Sequence, residues 1–168
     1  MKRILVLISL IITVAACKGQ TPPAQAQNID KIPPFKILKQ DSTWFSQSDL
    51  KKGKPVMIIY FSPDCSHCQH LMYELKPHMK QLRNMQIVMV TFTEYSMLKM
   101  IKDFYKTFDL AKYPNITVGT EAHTYVVQKY YHVSMTPYIA VYDRNGKLVR
   151  AFDRSPAIDT LIAAAKKG

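Results

Sequence analysis

Two cysteines separated by two residues, Cys65-Ser66-His67-Cys68, are the residues of this chain best equipped for chemistry. They follow an uninterrupted apolar run, Val56-Met57-Ile58-Ile59-Tyr60-Phe61, and open a stretch with helical periodicity. A helix start offers unpaired amide protons and partial positive charge, which favour thiolate over thiol at Cys65. Two intervening residues in a first helical turn bring the second sulfur within bonding reach of the first. Such a disulfide closes a very short loop, gains little stability from it, and suits exchange better than stapling. His67 would add a second positive group that lowers the thiolate pKa, while Asp64 acts in the opposite sense. No dissociable cofactor is expected, because the Cys65–Cys68 dithiol/disulfide couple is itself the redox group.

Other chemistries compete for the same residues. A plain structural disulfide is one. Zinc would find two ligands in Cys65 and Cys68, but no second CxxC or HxxxH completes a set of four, so no metal is expected. A copper-binding or copper-delivering module using Cys65, Cys68 and a histidine is the alternative function. The nine Met residues fall mostly at apolar periodic positions and are read as core rather than as copper ligands. A peroxidatic site would want Pro-x-x-x-Thr/Ser-x-x-Cys; Ser62 fits, but Ile58 occupies the proline position.

The elements that must position these residues alternate along the chain. Val56 to Phe61 reads as a central strand covered on both faces. Leu71, Leu75, Met79 and Leu82 predict a helix from Cys65 to about Arg83, kinked near Tyr73 by Pro77. Ile87 to Phe92 reads as a second buried strand, completing a βαβ unit with a right-handed crossover. Met97 to Phe108 predicts an amphipathic helix, Asn115 to Gly119 a strand, and Ala122 to His132 a further helix. Asn145-Gly146 between Tyr138–Tyr142 and Lys147–Phe152 signals an antiparallel hairpin. Ser155-Pro156 reads as an N-cap and first position of a last helix, with Ile158, Leu161, Ile162 and Ala165 on one face. Phe35 to Trp44 is read as a leading extension of the sheet. The fold class is α/β, a central mixed sheet with helices on both faces.

At 168 residues, 48% hydrophobic and 21% charged, the chain suits one globular domain and excludes collagen-like, low-complexity and multi-span membrane classes. Met1-Lys2-Arg3 followed by apolar Ile4 to Ala16 has the form of an export signal. Val14-Ala15-Ala16-Cys17 resembles the lipobox of bacterial lipoproteins, which implies signal residues 1–16 and lipidation at Cys17; Ala24-Gln25-Ala26 offers a rival cleavage site. Residues 17–34 are read as a flexible tether and 35–168 as the folded domain. The expected location is the bacterial cell envelope, lipid-anchored to a membrane and facing the periplasm. The net charge of +11 is read as a solvated basic surface; no run of five basic residues or zinc-finger spacing supports nucleic acid as a partner.

Two segments carry a family resemblance. Gly53 to Cys68 is similar to the active-site strand and motif of thioredoxin-like proteins, in particular the membrane-anchored extracytoplasmic TlpA-type thiol-disulfide oxidoreductases. Lys129 to Tyr138 resembles the segment that leads into that family's cis-proline. The resemblance spans residues 35–168 and implies a thioredoxin-like fold with Thr136-Pro137 as a cis, substrate-facing loop. It also implies exchange with protein thiols and disulfides, and a redox partner for recycling. Cys65 would be the nucleophile and Cys68 the deeper, resolving thiol. The buried acid that many thioredoxins carry six residues before the first cysteine is Ile59 here. Glu74, on the active-site helix, is the acid nearest in sequence that would replace it.

Overall fold

The computed structural model describes residues 28–168. These form strands β1 (Lys36–Lys39), β2 (Trp44–Ser46), β3 (Val56–Phe61), β4 (Gln86–Thr91), β5 (Ile116–Thr120), β6 (Tyr138–Tyr142) and β7 (Leu148–Phe152). The α-helices are α1 (Ser66–Leu75), α2 (Leu98–Thr107), α3 (Val126–Tyr131) and α4 (Ile158–Ala165). One mixed sheet has the order β2-β1-β5-β4-β3-β6-β7, with β3, β4 and β5 parallel and β6 antiparallel to β3. The signal residues 1–16 and Cys17 lie outside the described residues.

Every residue of β3 is buried, as a strand with helices over both faces requires. Met57, Ile59 and Phe61 point to the face covered by α1, α2 and α4; Val56, Ile58 and Tyr60 point to the face covered by α3. The tilted rings of Phe61, Phe104 and Phe108 pack at centroid distances of 4.8 and 4.7 Å, which fixes α2 beside the strand that leads to the cysteines. Parallel strands put their C-terminal ends on one edge. That edge carries Cys65 after β3 and Glu121 after β5, and the loop before β6 delivers Thr136 and Pro137 to it.

Several boundaries differ from the sequence reading. The helix expected to run kinked to Arg83 stops at Leu75 and tightens into a 3-10 turn, Lys76–His78. Pro77 has no amide to donate to Tyr73, so the chain leaves the α-helix instead of bending it; Met79 and Leu82 still reach the core. The single helix expected over 122–132 is a 3-10 turn, Ala122–Thr124, then α3, separated by Tyr125 at φ 49°. The last helix starts at Ile158 with Ala157 as its cap, and Ser155 caps nothing. Phe35 to Trp44 is not one strand: it holds β1 and ends on the first residue of β2, and the two pair antiparallel at the sheet edge. In the β6–β7 turn the Asp143 carboxylate accepts the amides of Asn145 and Lys147, and Gly146 takes the left-handed position at φ 75°.

Part of the stretch expected as a tether, from Asn28 to Pro34, is fastened to the domain. Ile29 and Ile32 pack on the α3-side core, and the Tyr130 hydroxyl donates to the Lys31 carbonyl at 2.6 Å. The Leu148 amide donates to Asp30, and Lys31 bridges Lys147. Two apolar side chains and these carbonyl partners fasten the chain from Asn28 onward.

Candidate active site

Cys65 is the N-cap of α1, at φ −75° and ψ 118°, and its carbonyl accepts the Gln69 amide. Ser62-Pro63-Asp64 makes the turn out of β3, closed by the Cys65 amide to the Ser62 carbonyl. The Ser62 hydroxyl donates to the Asp64 carboxylate, which is exposed beside the cysteines. Cys65 is half-buried; Cys68, one turn along, is 1% exposed and faces the core. Both are free thiols.

The peptide bond between Thr136 and Pro137 is cis, and the Cys65 thiol donates to the Thr136 carbonyl at 3.5 Å. The first element of the site and the loop before β6 therefore meet at the sulfur. Burial opposes ionisation of Cys65. Against it, the nearby Thr136 hydroxyl, Cys68 thiol and amides of Cys68 and His67 favour the thiolate and hold its pKa below the ordinary cysteine value. Thr136 thus acts twice: its carbonyl suits the thiol and its hydroxyl the thiolate. Burial pushes the Cys68 thiol up to about 12, with Cys65 adding to the rise and the Ser62 amide and Thr136 hydroxyl opposing it. One sulfur is a ready nucleophile, and the other is held protonated.

His67 contributes its backbone amide to Cys65; its side chain is exposed. Glu74 is not brought to the sulfurs. It lies about 9 Å along the axis of α1 from Cys68, and its carboxylate pairs with His70 at 3.6 Å on the flank of the helix. For the copper reading, no cluster of three or more His, Cys, Asp or Glu side chains is placed to hold a metal ion among the described residues.

The buried acid of this edge is Glu121, which the sequence reading did not single out. It is 1% exposed, and its two oxygens accept the amides of Val127 and Gln128 at 2.7 and 3.2 Å. Burial and this carboxylate push the Tyr60 phenol well above its ordinary value. Glu121 fixes the start of α3, and α3 runs into the loop that ends at Pro137. Its spacing matches no capping box, so only its position straight after a buried strand marked it.

A family model described as a thioredoxin-like domain matches residues 49–155. No curated protein matches the sequence. Among similar solved structures is a secreted Mycobacterium tuberculosis disulfide oxidoreductase homologous to E. coli DsbE. It is 18% identical, with a TM-score of 0.66 over 80% of this chain and 96% of that one. The exposed lipoprotein thioredoxin Etrx1 of Streptococcus pneumoniae is 21% identical, with a TM-score of 0.61 over 80% and 99%. A thiol-disulfide oxidoreductase from Bacteroides fragilis is 14% identical, with a TM-score of 0.63 over 77% and 94%.

Proposed function

We propose, from the premise that this chain belongs to the thioredoxin-like domain family, that it is an extracytoplasmic thiol-disulfide oxidoreductase acting on proteins. The observation that carries the reading is the unequal pair of thiols at the start of α1, lowered at Cys65 and raised at Cys68, against the cis Thr136-Pro137 loop. In the reducing direction the Cys65 thiolate attacks a substrate disulfide, forms a mixed disulfide and releases one substrate thiolate. Cys68, deprotonated, then attacks Cys65 and releases the second. Two electrons pass to the substrate, and the Cys65–Cys68 disulfide is left for a redox partner to reduce. In the oxidising direction the same steps run backwards.

The export signal and lipobox-like Cys17 support placement in the cell envelope, anchored by a lipid at Cys17. The secreted and exposed-lipoprotein character named for two similar structures supports it as well. No described helix is long and apolar enough to cross a membrane.

The test is covalent trapping in cells. A Cys68→Ser chain accumulates mixed disulfides through Cys65, and a Cys65→Ser/Cys68→Ser chain accumulates none. Absence of any trapped thiol protein with Cys68→Ser refutes the activity, and trapping only in the cytoplasm refutes the location.

A further inference from the structure

The edge opposite the cysteines gathers positive charge from loops far apart in sequence. Lys51, Lys52 and Lys54 precede β3, Arg83 precedes β4, and Arg144 sits in the turn between β6 and β7. Lys51 and Lys54 border two adjoining hollows of about 250 and 360 Å³; Arg83 lines the first, and Lys52 and Arg144 the second. All five are exposed, and none is in a salt bridge among the described residues.

Asp49, the acid lining the first hollow, is already engaged by the amide and hydroxyl of Ser46 at 2.7 Å. Asp143 is occupied with its own turn. Lys31 and Lys147, bridged to each other, extend the patch. β3 alone separates it from the cysteines by about 20 Å.

The chain enters the domain at this same pole. Asp30 and Lys31 are held to the start of β7, and Ile32 lines the second hollow beside Lys51 and Arg144. Residues 18–27 separate Cys17 from the first described residue, Asn28, and the stretch spans at most about 40 Å. A lipid at Cys17 therefore keeps the pole within reach of a bilayer.

We propose that this basic pole is a docking surface for anionic phospholipid headgroups, which turns the Cys65–Cys68 edge away from the membrane. The choice of membrane as occupant rests on the anchored reading of Cys17; the charge and its clustering do not. Each Lys or Arg near an anionic bilayer strengthens attachment about fivefold. Neutralising three lysines therefore shifts the docked population about a hundredfold. The attraction is long-ranged and weakens with salt.

Hydrogen exchange tests this on the lipidated protein in phosphatidylcholine vesicles with and without phosphatidylglycerol. The expected result is slowed exchange over 51–54, 83–86 and 143–147 with phosphatidylglycerol only. It disappears at high salt and in K51Q/K52Q/K54Q, while exchange around Cys65 is unchanged. Equal exchange on both vesicles, or protection of the cysteine edge instead, overturns the proposal. Protection by soluble polyphosphate but not by phosphatidylglycerol overturns it in favour of a free polyanion. A protein that fails to attach to pure phosphatidylcholine vesicles refutes the anchor alone. Co-sedimentation of that unanchored protein with phosphatidylglycerol vesicles then decides the pole: binding upholds it, and none overturns it.

Discussion

Replacing Thr136 by Val removes one hydroxyl from the sulfurs and leaves a side chain of the same shape. In the wild-type site that hydroxyl is the foremost group holding the Cys65 pKa down, against burial. A hydrogen bond to a charged group contributes about 1.5–3 kcal/mol. Cys65 is half-exposed, so water replaces part of the loss, and about 1.4 kcal/mol is the expected remainder, one pKa unit. Where Cys65 is ionised, above its folded pKa, the thiolate stabilises the reduced form, and there the same loss makes the couple about 30 mV more reducing. Titration of the thiolate ultraviolet absorbance reads the first shift, and equilibration with glutathione reads the second. Thr136→Ser restores the hydroxyl and is expected to titrate like wild type. A Thr136→Val protein that is folded yet titrates at or below the wild-type value would show that the helix amides alone set the thiolate, and the reasoning would fail.

The two thiols also predict how the reduced protein responds to pH. Cys65, lowered on folding, contributes stability that is lost as pH falls through its folded pKa. Cys68, raised on folding, contributes stability that is lost as pH rises from about 8.5 towards the folded value of about 12. Urea unfolding of the reduced form is therefore expected to show a maximum near pH 8.5 that the oxidised form lacks; identical profiles for the two forms would contradict the assignment. Glu121→Ala leaves one buried and one part-buried amide without an acceptor and is expected to cost about 2–4 kcal/mol. Glu121→Gln keeps one oxygen and is expected to cost less, so equal unfolding midpoints for the two variants would argue against the cap.

The central strand, its buried character and the cysteine-bearing helix were legible because periodicity and turn residues are local properties of the chain. Cys65 and Cys68 were legible for the same reason. What could not be read depended on contacts between distant segments. Glu121 looks like any surface acid until α3 folds over it. Glu74 looked like a relay because it is near in sequence, whereas helical geometry turns it towards His70. Lys51, Arg83 and Arg144 make no run, and only the parallel strands bring them to one pole. Ile29 and Ile32 sit in a polar stretch whose composition suggested a tether, and that stretch is held from about a hundred residues away, by the Tyr130 hydroxyl on the Lys31 carbonyl and the start of β7 on Asp30.

The inequality of the thiols has a kinetic consequence at the second step. A thiol at about 12 is ionised in about one molecule in 100,000 at neutral pH, against about one in thirty for an ordinary cysteine. Its greater basicity makes each thiolate more nucleophilic and recovers about half of that deficit on a logarithmic scale, so attack by Cys68 is slowed about a hundredfold. That is an upper figure, because the contribution of Cys65 to the rise vanishes once Cys65 is in a mixed disulfide; burial, the leading cause, stays. Cys65, with its lowered pKa, is a good leaving group and offsets part of the remainder. Among the described residues no carboxylate figures among the groups that act on Cys68, and Glu74 is paired with His70. The mixed disulfide of the wild-type protein should therefore persist long enough to isolate by acid quench. Its release should accelerate about tenfold per pH unit through the neutral range. Release that is fast and independent of pH would mean that a base reaches Cys68 when substrate is bound, and that the buried thiol is not the brake.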